Sequence, residues 1–194
     1  MEIYLIDIVK DKDELARFSD VCSTDFEQNP VSNLAYSLVR SIFSEKLGID
    51  KKLIEIKRGK NNKPFIKNDK GLHFNLSHTK NLIAIAVNSE PVGIDCEQID
   101  DINTKHSNKI FTPKENEYIF SSKRDINVRF LECWTKKEAA VKLNGDKIIT
   151  AVKKKTEYDF FTQTFFYENY VISVCSKQSF KHYTIRKISS IKCN

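Results

Sequence analysis

Long apolar runs are missing from this chain. The longest, LIAIAV at Leu82 to Val87, is far too short to span a bilayer. The opening MEIYLIDIVKDKDEL lacks the basic start and long apolar centre of a secretory leader. A cytoplasmic protein with no membrane partner is therefore expected. Glycine and proline are scarce, at 5 and 4 residues, and no Pro/Gly/Ser-rich linker or low-complexity run divides the 194 residues. The cysteines Cys22, Cys96, Cys133, Cys175 and Cys193 are odd in number, scattered and never in a C-x-x-C pair. That argues against a disulfide framework and a thiolate zinc site, and leaves buried, inert thiols as the expectation.

What is present is an ordinary globular composition, 40% apolar and 30% charged. The length fits one large domain or two small ones with a real core. The net charge of +6 fits an anionic partner and fits compositional drift equally. A basic nucleic-acid-binding module would need basic residues interleaved with aromatics on one face. The lysine clusters at Lys153 to Lys155 and at Lys51 do not supply it, so no nucleic acid partner is expected.

Alternation in MEIYLIDIV predicts a strand, with Ile3 and Leu5 on one side and Tyr4, Ile6 and Ile8 on the other. NLAYSLVRSIFSEKLG predicts a helix that Gly48 ends. LIEIKRGKNNKPFI reads as two short extended pieces around a turn cluster, and LHFNLSH as a strand. NLIAIAVNSEPVGIDCEQI reads as a hairpin turning near Asn88 to Pro91. In FTPKENEYIF, Thr112, Pro113 and Glu115 make a helix start with a capping box. A second helix, about Val128 to Leu143, stops at Asn144-Gly145, and strands follow, the first folding back near Glu168-Asn169. This order predicts an α+β fold of two similar halves, residues 1–99 and 100–194, each with an antiparallel sheet and a packed helix.

The chemistry is concentrated in two places. In VGIDCEQI, Asp95 and Glu97 fall on one face of an extended strand, about 7 Å apart at the backbone. Such a face repels itself unless a cation or water stands before it. In VRFLECWTKKEAAVKLNG, Phe130, Cys133, Trp134, Ala140 and Val141 form one apolar helical stripe that Lys137 interrupts. Lys137 either snorkels to water or is aimed at a fixed anion. Glu138 and Lys142 lie one turn apart at the stripe's edge, as an i,i+4 ion pair or as part of a site. Three carboxylates and two lysines together suggest a hard cation, Mg²⁺ with Mn²⁺ as its substitute, and a phosphate-bearing ligand.

These segments, with the upstream NKPFI and HFNLSHT, resemble the phosphopantetheinyl transferases in the larger single-chain, Sfp-type class. They are similar to its G-K-P segment and match its F-N-x-S-H, G-I-D-x-E and W-x-x-K-E-A-x-x-K motifs in order, over roughly Arg40 to Gly145. The resemblance implies a pseudo-dimer of two α+β halves. It also implies transfer of the phosphopantetheine arm of coenzyme A, the co-substrate, to a serine of an apo acyl or peptidyl carrier protein, with release of 3′,5′-ADP. It implies that Asp95, Glu97 and Glu138 hold Mg²⁺, and that Glu138 takes the serine proton, directly or through a water. By the same matching Lys137 and Lys142 meet the pyrophosphate, Lys63 and Pro64 the adenine side, and Arg40, Ser77 and His78 the 3′-phosphate. A bland reading of His78, closing a strand, stays open, and Glu115 reads both as a helix cap and as a residue near the site.

Two positions depart from the family pattern. Asn62 stands where the family shows glycine, and Asn accepts left-handed backbone better than most residues. In STDFEQNPVSNLAYSLVR only Arg40 is basic, where the family carries several basic residues. The rival readings are the nucleic-acid module and an inactive relative that binds carriers. A monomer is expected, because two halves in one chain already build the interface.

Overall fold

The computed structural model describes residues 1–21, 29–67, 70–123, 125–154 and 159–191. Its strands are β1 (Glu2–Asp7), β2 (Ile56–Arg58), β3 (Pro64–Ile66), β4 (His73–His78), β5 (Leu82–Asn88), β6 (Val92–Gln98), β7 (Phe161–Tyr167), β8 (Tyr170–Ser176) and β9 (Thr184–Arg186). Its helices are α1 (Lys12–Leu15), α2 (Pro30–Leu47), α3 (Ser107–Ile110), α4 (Pro113–Phe120), α5 (Ile126–Asn144) and α6 (Ile148–Lys154). The fold is α+β with several antiparallel pairings, as the sequence pattern predicts. Cys22 and Cys193 lie outside the described residues. Cys96, Cys133 and Cys175 are free and buried, and burial pushes all three thiols up, so they are inert.

One sheet has the order β4-β5-β1-β9, a second has β6-β8-β7, and β2 and β3 form a separate ribbon. Period-two alternation divides the side chains of β1 and β5 between two cores. Tyr4, Ile6, Ile83, Ile85 and Val87 pack with Leu38, Val39, Ile42 and Phe43 of α2. Ile3, Leu5, Leu82, Ala84 and Ala86 pack with Val92, Ile94 and Cys96 of β6 and with Ile172 and Val174 of β8. The far face of the second sheet meets α5, with Val171 packed among Phe130, Leu131 and Cys133, and Cys175 among Ala139, Ala140 and Leu143. The layers therefore run helix, sheet, sheet, helix. Each large apolar side chain so enclosed contributes about 1.5–3 kcal/mol.

Helix ends follow local chemistry. Asn29 accepts from the Val31 amide, Pro30 fills the first turn of α2, and Gly48 closes it at φ 66°. Thr112 and Glu115 form the full capping box of α4, as their spacing predicts.

Three expectations need correction. The expected hairpin of β5 and β6 does not form, because β4 and β1 already occupy both edges of β5, and β6 pairs with β8 instead. Nor is each sheet wholly antiparallel, since β9 returns from the C-terminal segment to run parallel with β1. Finally, α5 buries more than one stripe, for Leu131, Thr135, Ala139 and Leu143 are enclosed as well. The helix is wedged between the second sheet and α4.

Candidate active site

Gly93 determines how close the two acidic elements come. It lies on the face of β6 that looks toward α5, and a methyl group there would strike the Ala139 carbonyl and come within 2.8 Å of the Leu143 nitrogen. Only glycine lets the helix rest directly on the strand. Asp95 and Glu97 share that face of β6, so this approach sets Lys142 and Glu138 of α5 against them.

Asp95 is 3% exposed. Its Oδ1 accepts from Lys142 Nζ at 2.7 Å and from Ser77 Oγ at 2.8 Å, and Lys142 Nζ also donates to Ser77 Oγ at 2.9 Å. Residues from β4, β6 and α5 thus meet at one oxygen. The ion pair of Lys142 is with Asp95 rather than one turn back along its own helix. Burial alone would lower the Lys142 pKa, but the Asp95 charge raises it above the ordinary lysine value. Asp95 Oδ2 is buried with no hydrogen-bond partner among the described residues.

Glu97 accepts from the indole N–H of Trp134 at 3.3 Å. Burial first and the Asp95 charge second raise its pKa. Glu138 is pushed from 4.5 up to about 7 by burial and by Asp95, with Lys142 opposing and Glu97 adding. Among the described residues, no three His, Cys, Asp or Glu side chains already stand as a ready ligand group. The donors nonetheless suit a hard cation, since all are carboxylates and one buried oxygen, Asp95 Oδ2, is unpartnered among the described residues.

The raised Glu138 pKa has a direct consequence for stability. The folded chain holds this proton more tightly than the unfolded chain does. The associated stability is complete below about pH 4.5 and lost as pH rises through about 7. In chelator-treated protein the thermal midpoint should fall between about pH 5 and about pH 8. Glu138→Gln should remove most of that slope; an unchanged slope by differential scanning fluorimetry contradicts it.

The other sequence-derived residues distribute as follows. His78 Nε2 is 2.8 Å from Ser32 Oγ, so the histidine ties the end of β4 to α2 through a side chain. Arg40 is buried at 7% exposure in the same helix, two turns beyond Ser32. Lys63 and Pro64 line a cavity of about 210 Å³ together with Tyr36, Asn75, Leu76 and Lys142. Lys63 Nζ donates to the Leu143 carbonyl at 2.7 Å. Lys137 is not a snorkelling lysine, because its side chain is 3% exposed and pairs with Glu115 at 3.3 Å. Glu115 therefore serves both α4 as its cap and α5 as a counter-charge.

Two residues were not singled out from sequence. Asn75 Oδ1 accepts from the Ile94 amide at 3.0 Å, joining the edges of β4 and β6. An asparagine two residues before Ser77, on the same face of the strand HFNLSH, is the available signal. Trp134 was read as apolar filler, yet its N–H orients Glu97.

Residues 91–187 match the family model of the 4′-phosphopantetheinyl transferase superfamily, and residues 4–90 match that of the 4′-phosphopantetheinyl transferase N-terminal region. The 4′-phosphopantetheinyl transferase gsp of Aneurinibacillus migulanus is 35% identical over 117 residues, 59% of this chain and 48% of the relative. The 4′-phosphopantetheinyl transferase psf-1 of Bacillus pumilus is 32% identical over 112 residues, 57% of this chain and 48% of the relative. The 4′-phosphopantetheinyl transferase Sfp of Bacillus subtilis (strain 168) is 30% identical over 109 residues, 56% of this chain and 49% of the relative. The chain spans about half the length of the curated relatives it matches.

Proposed function

The chain belongs to the 4′-phosphopantetheinyl transferase superfamily, and from that membership we propose that it transfers the 4′-phosphopantetheine arm of coenzyme A to a serine of an apo acyl or peptidyl carrier protein. The observation that carries the proposal is the meeting of Ser77, Asp95 and Lys142, with Glu97 and Glu138 close enough that burial and the Asp95 charge raise both of their pKa values. In the reaction the serine oxygen attacks the β-phosphorus of coenzyme A. The bond from that phosphorus to the bridging oxygen breaks, and 3′,5′-ADP leaves.

Glu138 would take the serine proton, directly or through a water, since a carboxylate within hydrogen-bond reach can act as general base. Lys142 carries an ammonium that faces the carboxylates and is placed to bind pyrophosphate oxygens. Asp95, Glu97 and Glu138 would hold Mg²⁺. When bound, the ion neutralises charge building on the leaving phosphate. The nucleotide end of coenzyme A would enter the cavity beside Lys63, Pro64 and Tyr36, a reading supported by its opening next to Lys142.

Two α+β layers in one chain support a pseudo-dimer that acts as a monomer. No helix of the described residues is long and apolar enough to cross a membrane. The deciding experiment incubates the protein with an apo carrier, coenzyme A and Mg²⁺. Intact mass spectrometry should show the added arm on serine only when all are present; an unmodified carrier under every condition overturns the proposal.

Arg40 supplies a separate test, because a guanidinium suits a phosphate dianion. Arg40→Met, which keeps the buried stem, should raise the KM for coenzyme A roughly tenfold, the loss of one charge-assisted contact. The KM for 3′-dephospho-coenzyme A should stay nearly unchanged. Equal losses for both would remove Arg40 from the binding site.

A further inference from the structure

The C-terminal end of α5 leaves backbone carbonyls without helical donors. Two of them are met from the opposite half of the chain. Asn61 Nδ2 donates to the Gly145 carbonyl at 2.8 Å, and Lys63 Nζ donates to the Leu143 carbonyl at 2.7 Å. Lys60 adds an exposed ion pair to Asp146 at 3.8 Å. All three donors sit in the turn that joins β2 to β3, and α5 itself ends at Gly145 with φ 67°.

The turn is shaped for this reach. Asn61 and Asn62 both adopt left-handed backbone, at φ 51° and 64°, a conformation that asparagine accepts better than most residues other than glycine. The Gly59 amide donates to Lys63 O at 2.8 Å and the Asn62 amide to Gly59 O at 3.2 Å, which holds the turn closed. Its base is fixed by the pairing of Ile56 with Ile66, both buried in the core beneath α2. A rigid turn rooted in the first layer therefore grips the last carbonyls of the helix packed on the second sheet. Leu143 directly follows Lys142, so whatever fixes that carbonyl fixes the lysine that reaches Asp95.

We propose that the turn Gly59–Lys63 is a strap that sets the position of Lys142 and Glu138 by holding the end of α5, with Asn61 and Lys63 as positioning residues. This assigns the Lys63 ammonium to the protein's own helix rather than to the nucleotide, and it rests on the reading of α5 as the helix that carries the reacting carboxylate.

The test uses full-length Lys63→Met, Lys63→Arg and Asn61→Ala, each assayed well below its thermal midpoint. For Lys63→Met, kcat should fall and the half-saturating Mg²⁺ concentration should rise, each by roughly tenfold, in the range seen when a supporting contact to a ligating group is lost. The KM for coenzyme A should stay within about twofold. Lys63→Arg should recover most of the loss, and Asn61→Ala should move the same parameters in the same direction. A raised KM with unchanged kcat in Lys63→Met, and a silent Asn61→Ala, would make Lys63 a nucleotide contact and overturn the strap. Hydrogen exchange gives a second readout without turnover. Amides of the last turn of α5 should exchange faster in Lys63→Met and Asn61→Ala, with its first turns unchanged. Unchanged exchange overturns the strap even in an active enzyme, whereas faster exchange in a chain that transfers nothing, wild type included, upholds the strap and refutes the activity.

Discussion

Asp95→Asn should reduce kcat/KM for carrier modification by at least about a hundredfold, as expected when a charge that organises the transition state is removed. The amide keeps an oxygen that can accept from Ser77 and Lys142, so the fold should survive. Asp95→Ala should do more harm, because it strands the Lys142 ammonium and the Ser77 hydroxyl against a partly buried site. Removing one partner of such a pair costs about 3–5 kcal/mol. Adding Lys142→Met to Asp95→Ala should recover much of that stability while transfer stays lost. Thermal denaturation and the mass-spectrometric assay separate the two effects. Near-normal turnover in Asp95→Asn would show that the carboxylate is not needed.

Gly93→Ala should be the most damaging single-methyl change in the chain. The added carbon meets backbone atoms of α5, the Ala139 carbonyl and the Leu143 nitrogen, which cannot step aside as a flexible side chain could. Overpacking of this kind costs typically 1–3 kcal/mol, and contact with helix backbone places Gly93→Ala at about 3 kcal/mol or more. If the variant folds, the helix must lift from β6, and Lys142 then loses its reach to Asp95. A melting temperature within about 2 °C of wild type, with normal activity, would mean the helix tolerates displacement.

What was legible in the sequence was local. The capping box at Thr112 and Glu115, the glycine stops at Gly48 and Gly145 and the alternation in β1 all rest on short-range chemistry, and all appear in the structure. The left-handed backbone at Asn62, where the family shows glycine, belongs with them. Pairing partners were less legible. Whether β6 folds back on β5 depends on which edges are already taken, and β1, far away in sequence, takes the one that matters. The parallel return of β9 is likewise set by the open edge of β1 rather than by anything in Thr184 to Arg186.

At the candidate site, spacing identified Asp95, Glu97, Glu138 and Lys142, because two residues along a strand and four along a helix define faces. It could not identify the partner of each charge. A helical projection puts Lys137 within the apolar stripe and Lys142 at its edge, but it does not say that the first meets Glu115 and the second Asp95. Helix α5 is enclosed on two sides, and the packing of α4 on one and β6 on the other supplies the partner of each lysine. The hydrogen bonds of Trp134 and Asn75 are not legible in the sequence because their polar atoms act across elements, where periodicity carries no information.

The claim beneath all of this is that carboxylates from β6 and α5 share one divalent ion. Titrating Mn²⁺ into the coenzyme A complex and counting free ion by electron paramagnetic resonance tests it most directly. The account predicts a single tight site in wild type that disappears in both Asp95→Asn and Glu138→Gln. A site that survives both substitutions unchanged, or no site in wild type, would contradict it.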